Sequence, residues 1–342
     1  MSFDSILLTI FQRLHGERSA QGVYHILRGK RSGQTLQDVE YYQVKSYYAL
    51  LPQLSASEFQ QALERMVADG LIYIDKLVYV TAKGQMATGS EMWRFNGWDY
   101  RGREREFGRR LALTVQTLSN LRSGETMFMP IQKELPTQQF VKGFLRNQSQ
   151  PMNTLAISLQ KELEHALINA QVQELQCTIV IGRLSGNRLT AFTWEQMVES
   201  LNMPIRSIQL HYLEALHMLL DFIHQQRKTP LLKELAAGCK VDTYLTQSAE
   251  RTRKLFERGY TVEQISSLRN LKLSTIEDHF IEMAANVESF PYEEFVTNEQ
   301  IDQVWRHVEQ MQTKRLRVLK EQCPELTYFQ LRLIIIIGRR ES

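Results

Sequence analysis

Cysteine is scarce in this 342-residue chain: Cys177, Cys239 and Cys323 lie far apart, with no Cys-x-x-Cys pair and no short Cys/His spacing. That spacing argues against a disulfide framework and against a tetrahedral metal site, and points to free thiols in a reducing compartment. Long apolar runs are missing too. The longest, Leu331 to Ile337 interrupted by Arg332, falls far short of the roughly 20 residues a membrane helix needs. The first residues include Asp4 and lack the basic-then-apolar order of a secretion signal, so a cytoplasmic protein without membrane association is expected. Catalytic signatures are also absent: there is no nucleophile elbow, no His-Glu-x-x-His, no dinucleotide-binding glycine pattern and no acidic cluster of nuclease type. Gly29-Lys30-Arg31-Ser32-Gly33-Gln34-Thr35 lacks the Gly-Lys-Ser/Thr order that puts an ammonium and a hydroxyl on phosphates and Mg²⁺. No enzymatic activity, cofactor or small-molecule substrate is expected.

What is present is charge, unevenly placed. The formal net charge is +3, yet residues 1–100 sum to 0, 101–176 to +3, 177–272 to +4 and 273–342 to −4. Nucleic-acid affinity should therefore sit in the middle of the chain. Between Leu273 and Gln312 there are nine acids (Glu277, Asp278, Glu282, Glu288, Glu293, Glu294, Glu299, Asp302 and Glu309) against one base, Arg306.

The apolar residues recur at helical spacing almost throughout, and single domains usually run about 100 to 200 residues, so several cores are expected. Residues 1–95 read as a winged-helix-like domain. Helices are expected over Phe3 to Leu14, around Val23 to Leu27, and from Thr35 to about Leu50. Another follows a Ser57-Glu58-Phe59-Gln60 capping box and stops at Gly70. Leu71 to Ile74 and Leu77 to Thr81 then form a hairpin turning at Asp75-Lys76.

Residues 96–237 read as a central helical domain with a helix-turn-helix at about 190–223. Its first helix is capped by Thr193-Trp194-Glu195-Gln196, and Asn202-Met203-Pro204 makes the turn. Residues 238–342 form a third domain. Within it Gly259 ends one helix, Thr261-Val262-Glu263-Gln264 and Ser274-Thr275-Ile276-Glu277 each open another, Ile301 to Leu319 makes one amphipathic helix, and the tail Tyr328 to Ile337 requires burial. The fold class is mainly α: tandem helix-turn-helix and winged-helix domains with one small β-hairpin wing.

Candidate DNA contacts follow from charge and geometry. Arg101, Arg103, Arg105, Arg109 and Arg110 stand beside Trp93, Phe95, Trp98 and Tyr100, a composition that can grip a backbone and stack bases; the same residues also suit an interdomain connection with core aromatics. Arg206 and Gln209 open the second helix of the central motif and are suited to phosphates and base edges. Lys30 and Arg31 precede a helix start, where an anion can bind, though an ordinary surface loop accounts for them as well. His217, Asp221 and His224, with Glu214, share a helix face that can in principle hold a metal, but they also read as the polar shoulder of an apolar stripe, and no metal is expected. Acids opening the C-terminal reading helix repel phosphate. Glu277, Asp278, Glu282, Glu293, Glu294 and the nearby Trp305 are therefore candidates for binding a protein partner, a solvated acidic face being the alternative.

Thr252-Arg253-Lys254-Leu255-Phe256-Glu257-Arg258-Gly259-Tyr260-Thr261-Val262-Glu263-Gln264-Ile265, continuing Leu273-Ser274-Thr275-Ile276-Glu277-Asp278-His279-Phe280, resembles the helix-turn-helix module at the carboxyl end of many bacterial RecQ-type helicases. Leu27-Arg28-Gly29-Lys30-Arg31-Ser32-Gly33-Gln34-Thr35 resembles the opening domain of YpbB-type proteins. The resemblance spans essentially the whole chain. It implies a non-enzymatic accessory protein that pairs with a RecQ-family DNA helicase in recombination or repair, engaging single-stranded or junction DNA. A helix-turn-helix transcription regulator with a specific duplex site is the other reading.

Overall fold

The computed structural model describes residues 2–88, 93–226, 228–241, 245–287 and 289–338; Glu288, one of the counted acids, lies outside them. Among these residues the chain is mainly helical, and its strands form one two-stranded hairpin, Ile72–Asp75 and Leu77–Val80, turning at Lys76 with φ of 53°. No helix among them is long and apolar enough to cross a membrane.

The chain divides into two compact units, each discontinuous in sequence. The first contains residues 1–9, 49–72 and 81–241; the second contains 10–48, 73–80 and 242–342. In the first, the arginine-rich helix Glu104–Arg122 packs on Leu135–Arg146, Met152–Asn169 and the long helix Ile205–Gln225. Phe107, Leu111, Leu155, Leu216, Leu220 and Ile223 close the core there. A smaller cluster of Ile179, Met197 and Ile208 seats the central helix-turn-helix, Trp194–Leu201 followed by Ile205–Gln225.

In the second unit Gln247–Phe256, Val262–Arg269 and Leu273–Asn286 make the C-terminal helix-turn-helix. Phe280, wholly buried, meets Phe256 edge-on at 4.8 Å and Phe295 at 5.3 Å between centroids. The tail helix Tyr328–Ile337 buries Phe329, Leu331, Leu333 and Ile334 here, as its composition requires.

The two helix-turn-helix motifs share a local sequence grammar at an offset of 68 residues. Thr193 and Thr261 each cap a helix reciprocally with the Gln three residues on. Asn202 and Asn270 each end it in the left-handed region, φ 49° and 50°. Ile208 and Ile276, His211 and His279, and Glu214 and Glu282 then occupy matching buried positions.

Several expected boundaries move. Ser55, not Ser57, caps the helix Ala56–Ala68, because its side chain accepts from Glu58 N. The reading helix begins at Leu273 behind Lys272 with no side-chain cap, so Ser274 lies inside it. The helix expected to run to about Leu50 starts at Gly33, with Ser32 accepting from Thr35 N, and stops at Tyr41. The single helix expected over Ile301 to Leu319 is two, Asn298–Met311 and Leu316–Gln322, parted where Gln312 turns left-handed at φ 51°.

Candidate nucleic-acid interface

Helical periodicity sorts the arginine run by face. Arg105 and Arg109 are four residues apart and therefore neighbours on one side of Glu104–Arg122. The others serve the scaffold. Arg110 donates to the carbonyls of Leu235 and Ala237, at 3.2 and 2.7 Å, with its guanidinium 3.7 Å from the Phe140 ring centroid. These bonds satisfy two carbonyls at and just beyond the C-terminal end of the short helix Pro230–Leu235, where carbonyls have no intrahelical donors. Arg103 donates to Gly238 O at 3.3 Å, and Arg101, at φ 49°, lies 4.3 Å from the centroid of Trp98 and donates to its carbonyl.

Trp93, Phe95, Trp98 and Tyr100 are all buried. They cannot present faces to nucleobases; of the two readings of this stretch, core packing is the one that accounts for its aromatics. The polar shoulder of the long helix anchors this segment: Glu214 accepts from Arg94 N (2.6 Å), His217 Nδ1 from Asn96 N (3.0 Å), and Asp221 from Asn96 Nδ2 and the Tyr100 hydroxyl (2.8 and 2.6 Å). Each of these groups thus has a structural partner. Among the described residues no group of three or more His, Cys, Asp or Glu has metal-binding geometry.

Arg105 and Arg109 face a cavity of about 520 Å³ within the first unit. Arg183 and Arg206 line it as well, with Gln132, Gln209 and Trp194, so four guanidiniums meet one lining carboxylate, Glu134. Glu58 holds Arg206 through two bonds of 2.7 and 2.6 Å, and Gln209 accepts a third at 3.0 Å. Arg109 pairs with Glu106 and, at 3.8 Å, with Glu134. Arg183 lies 4.3 Å from the Trp194 centroid and donates to Phe192 O. Burial lowers the pKa of Arg105, while neighbouring Glu104 opposes the shift and Arg206 and Arg109 add to it by repulsion. Guanidiniums gathered around one cavity suit a polyanion that bridges them. Sequence reading selected Arg105, Arg109, Arg206 and Gln209 but missed Trp194 and the part played by Arg183. Neither carried a local signal, since packing of distant helices brings them here.

The C-terminal motif differs. Of the fourteen residues in its reading helix, only Leu273 and Ser274 are exposed. Helix Gly33–Tyr41 packs on it, and does so closely because Gly33 has no side chain: a Cβ there would stand 3.0 Å from Asp278 Cγ. Arg332 of the tail helix joins both, donating to Asp278 Oδ1 at 2.6 Å and Gln37 Oε1 at 2.9 Å. The acids of this helix therefore present less free surface than expected, with only Asp278 keeping a substantially exposed side chain. Asp278 is ion-paired, Glu282 is buried and accepts from both the backbone N–H and the hydroxyl of Thr246, and burial raises the pKa of the half-buried Glu277. His279 is buried against Thr252, with Nδ1 2.9 Å from its hydroxyl, and desolvation together with Arg269 lowers its pKa to about 4.

The remaining candidates also belong to the second unit. Lys30 and Arg31 are exposed in the turn before Gly33. Glu293 and Glu294 are exposed in the turn Tyr292–Glu294, and Trp305 is half-buried with Lys314 5.5 Å from its ring centroid.

Residues 248–335 match the family described as a helix-turn-helix domain. Along 97% of its length the chain is 26% identical to Protein YpbB of Bacillus subtilis (strain 168), of which the match covers 96%. No solved structure matches. The chain is thus a mainly helical protein with a helix-turn-helix domain of the DNA-binding type, and its resemblance to YpbB extends over nearly its full length.

Proposed function

We propose that this protein is a non-enzymatic accessory factor that binds a RecQ-family DNA helicase and helps it engage DNA in recombination or repair. One observation favours this reading over a transcription regulator: of the C-terminal reading helix only the first turn, Leu273 and Ser274, is exposed, and its later turns are buried or half-buried. A motif enclosed in this way is suited to a scaffold that carries a protein-binding surface. DNA contact falls to the first unit, where Arg105, Arg109, Arg183, Arg206 and Gln209 present donors to single-stranded or junction DNA. Arg101, Arg103 and Arg110 shape that unit, and Lys30 and Arg31 form a separate exposed basic turn. Glu293, Glu294 and Trp305 supply polar and aromatic groups for the helicase; Glu277, Asp278 and Glu282 hold the domain that displays them. The likeness of residues 252–280 to the carboxyl module of RecQ-type helicases favours the same reading.

The test is to co-purify the full chain with its organism's RecQ-type helicases and to measure binding of single-stranded, junction and random duplex DNA against salt. A stable complex with salt-sensitive, sequence-indifferent binding is expected. No complex, together with tight binding to one duplex sequence roughly a thousandfold above random DNA, establishes the regulator instead.

A further inference from the structure

Beside the turn of the C-terminal helix-turn-helix, wholly within the second unit, is a cavity of about 710 Å³ that neither the scaffold nor DNA contact explains. Phe256, Phe290, Phe295 and Met283 form its apolar walls. Phe290 and Phe295 stack at 5.8 Å with an interplanar angle of 7°, fixed from behind by Phe280. Tyr260 stands at the rim, 39% exposed, on the turn that follows the end of Gln247–Phe256.

The charged part of the lining is mostly acidic. Glu257, Glu263 and Glu294 are exposed carboxylates that border the cavity. Its cation, Arg253, is already engaged: Glu250 takes two bonds, at 2.9 and 2.8 Å, and Glu257 a third. The uncompensated charge is therefore negative. Aromatic walls beneath carboxylates attract cationic side chains, through the ring faces as well as the acids, and the apolar floor accepts one large anchor. The same rim repels a phosphate backbone.

We infer that this pocket docks a basic, aromatic-bearing segment of a protein partner. An aromatic side chain packs against the wall formed by Phe256, Phe290 and Phe295, and flanking Lys or Arg side chains meet Glu257, Glu263 and Glu294. The helicase is that partner if the accessory reading holds, so the assignment of partner rests on that reading, whereas the chemistry of the pocket does not.

The probe is a fluorescein-labelled peptide with one Trp flanked on each side by two Lys or Arg residues, titrated with the full chain. Saturable binding is expected, weakening at least tenfold when Trp is replaced by Ala, when Glu replaces the basic residues, or in E257K/E263K/E294K. Ser289→Trp, which fills an exposed part of the lining without changing charge, should block the peptide while leaving the thermal melt and DNA affinity unchanged. Equal binding of the Ala-substituted peptide, an unaltered Kd in both variants, displacement of the peptide by single-stranded DNA, or self-association of the chain through this face each overturns the proposal. Co-purification of the same variants separates the two readings. A helicase complex that survives both changes removes the helicase from this pocket yet leaves the accessory role standing. Peptide binding with no helicase complex for the unaltered chain removes the accessory role and leaves the pocket.

Discussion

The helix-turn-helix at Trp194 and the one at Val262 begin from almost the same local instructions and end in opposite environments. Each has a Thr that caps reciprocally with Gln three residues on, a left-handed Asn nine residues after that Thr, a second helix starting three residues later, and a buried Ile, His and Glu at matching positions within it. Even the Glu has a common task, since Glu214 accepts the backbone N–H of Arg94 and Glu282 that of Thr246. Yet the first turn of Ile205–Gln225 borders an arginine-lined cavity, whereas Leu273–Asn286 is enclosed by Gly33–Tyr41 and the tail helix. A helix-turn-helix signature therefore specifies a tripod of helices, and its surroundings decide whether that tripod meets a ligand or carries a core.

The largest expected effect tests the enclosure. Phe280 and Tyr212 occupy matching positions, but Phe280 is wholly buried among rings while Tyr212 lines the cavity. Phe280→Ala should cost about 3–5 kcal/mol, as large aromatic deletions in cores do, and Tyr212→Ala clearly less, both read by chemical denaturation. Equal losses would mean that the two helices are buried alike.

Next is DNA contact. Arg109→Ala with Arg183→Ala should weaken single-stranded DNA binding about tenfold at low salt and reduce the salt slope by about 0.7 for each phosphate left without its guanidinium. Lys272→Ala with Ser274→Ala, at the exposed start of the enclosed helix, should change neither quantity. The reverse pattern would transfer the interface to the C-terminal motif.

A smaller effect should be shared. Asn202→Ala and Asn270→Ala each remove the side-chain amide that makes positive φ tolerable for an L-residue, and each should cost up to about 1 kcal/mol of stability. Markedly unequal losses would show that the two turns are held by different forces.

The smallest effect is pH dependence. His279 in the folded chain titrates near 4, below the usual 6.5, so it contributes stability above pH 6.5 that is lost progressively as pH falls toward 4, where the unfolded chain takes up the proton first. Melting temperature measured between pH 7 and 4 should fall more steeply for the unaltered chain than for His279→Asn. Parallel curves would assign the acid sensitivity to other groups.

Much of the fold was legible because it is local. The capping boxes at Thr193 and Thr261, the glycine stops at Gly70 and Gly259, and the hairpin at Lys76 each depend on residues within a few positions of one another. Errors arose where two local signals compete: Ser55 and Ser57 can both cap, and Gln312 breaks an apolar periodicity that continues on either side of it. The site was less legible. Five arginines adjacent in sequence read as one patch, but helical rotation sends Arg105 and Arg109 into the cavity and Arg110 to the carbonyls of a distant helix end. Acids on the C-terminal helix read as surface because their partners, Arg332 and Thr246, are 54 and 36 residues away.

By itself the sequence determined that this chain is helical, where most of its helices start and stop, that its apolar tail had to be buried, and that its middle is basic. Those properties follow from hydrogen-bond satisfaction, backbone sterics and composition over short stretches. Only the tertiary structure decided that residues 10–48 share a unit with residues 242–342, that Gly33 lets a helix close over the reading helix, and that Arg183 joins Arg109 around one cavity. Such long-range pairings are selected by how whole helix faces fit together, and that fit leaves no mark in the spacing of neighbouring residues.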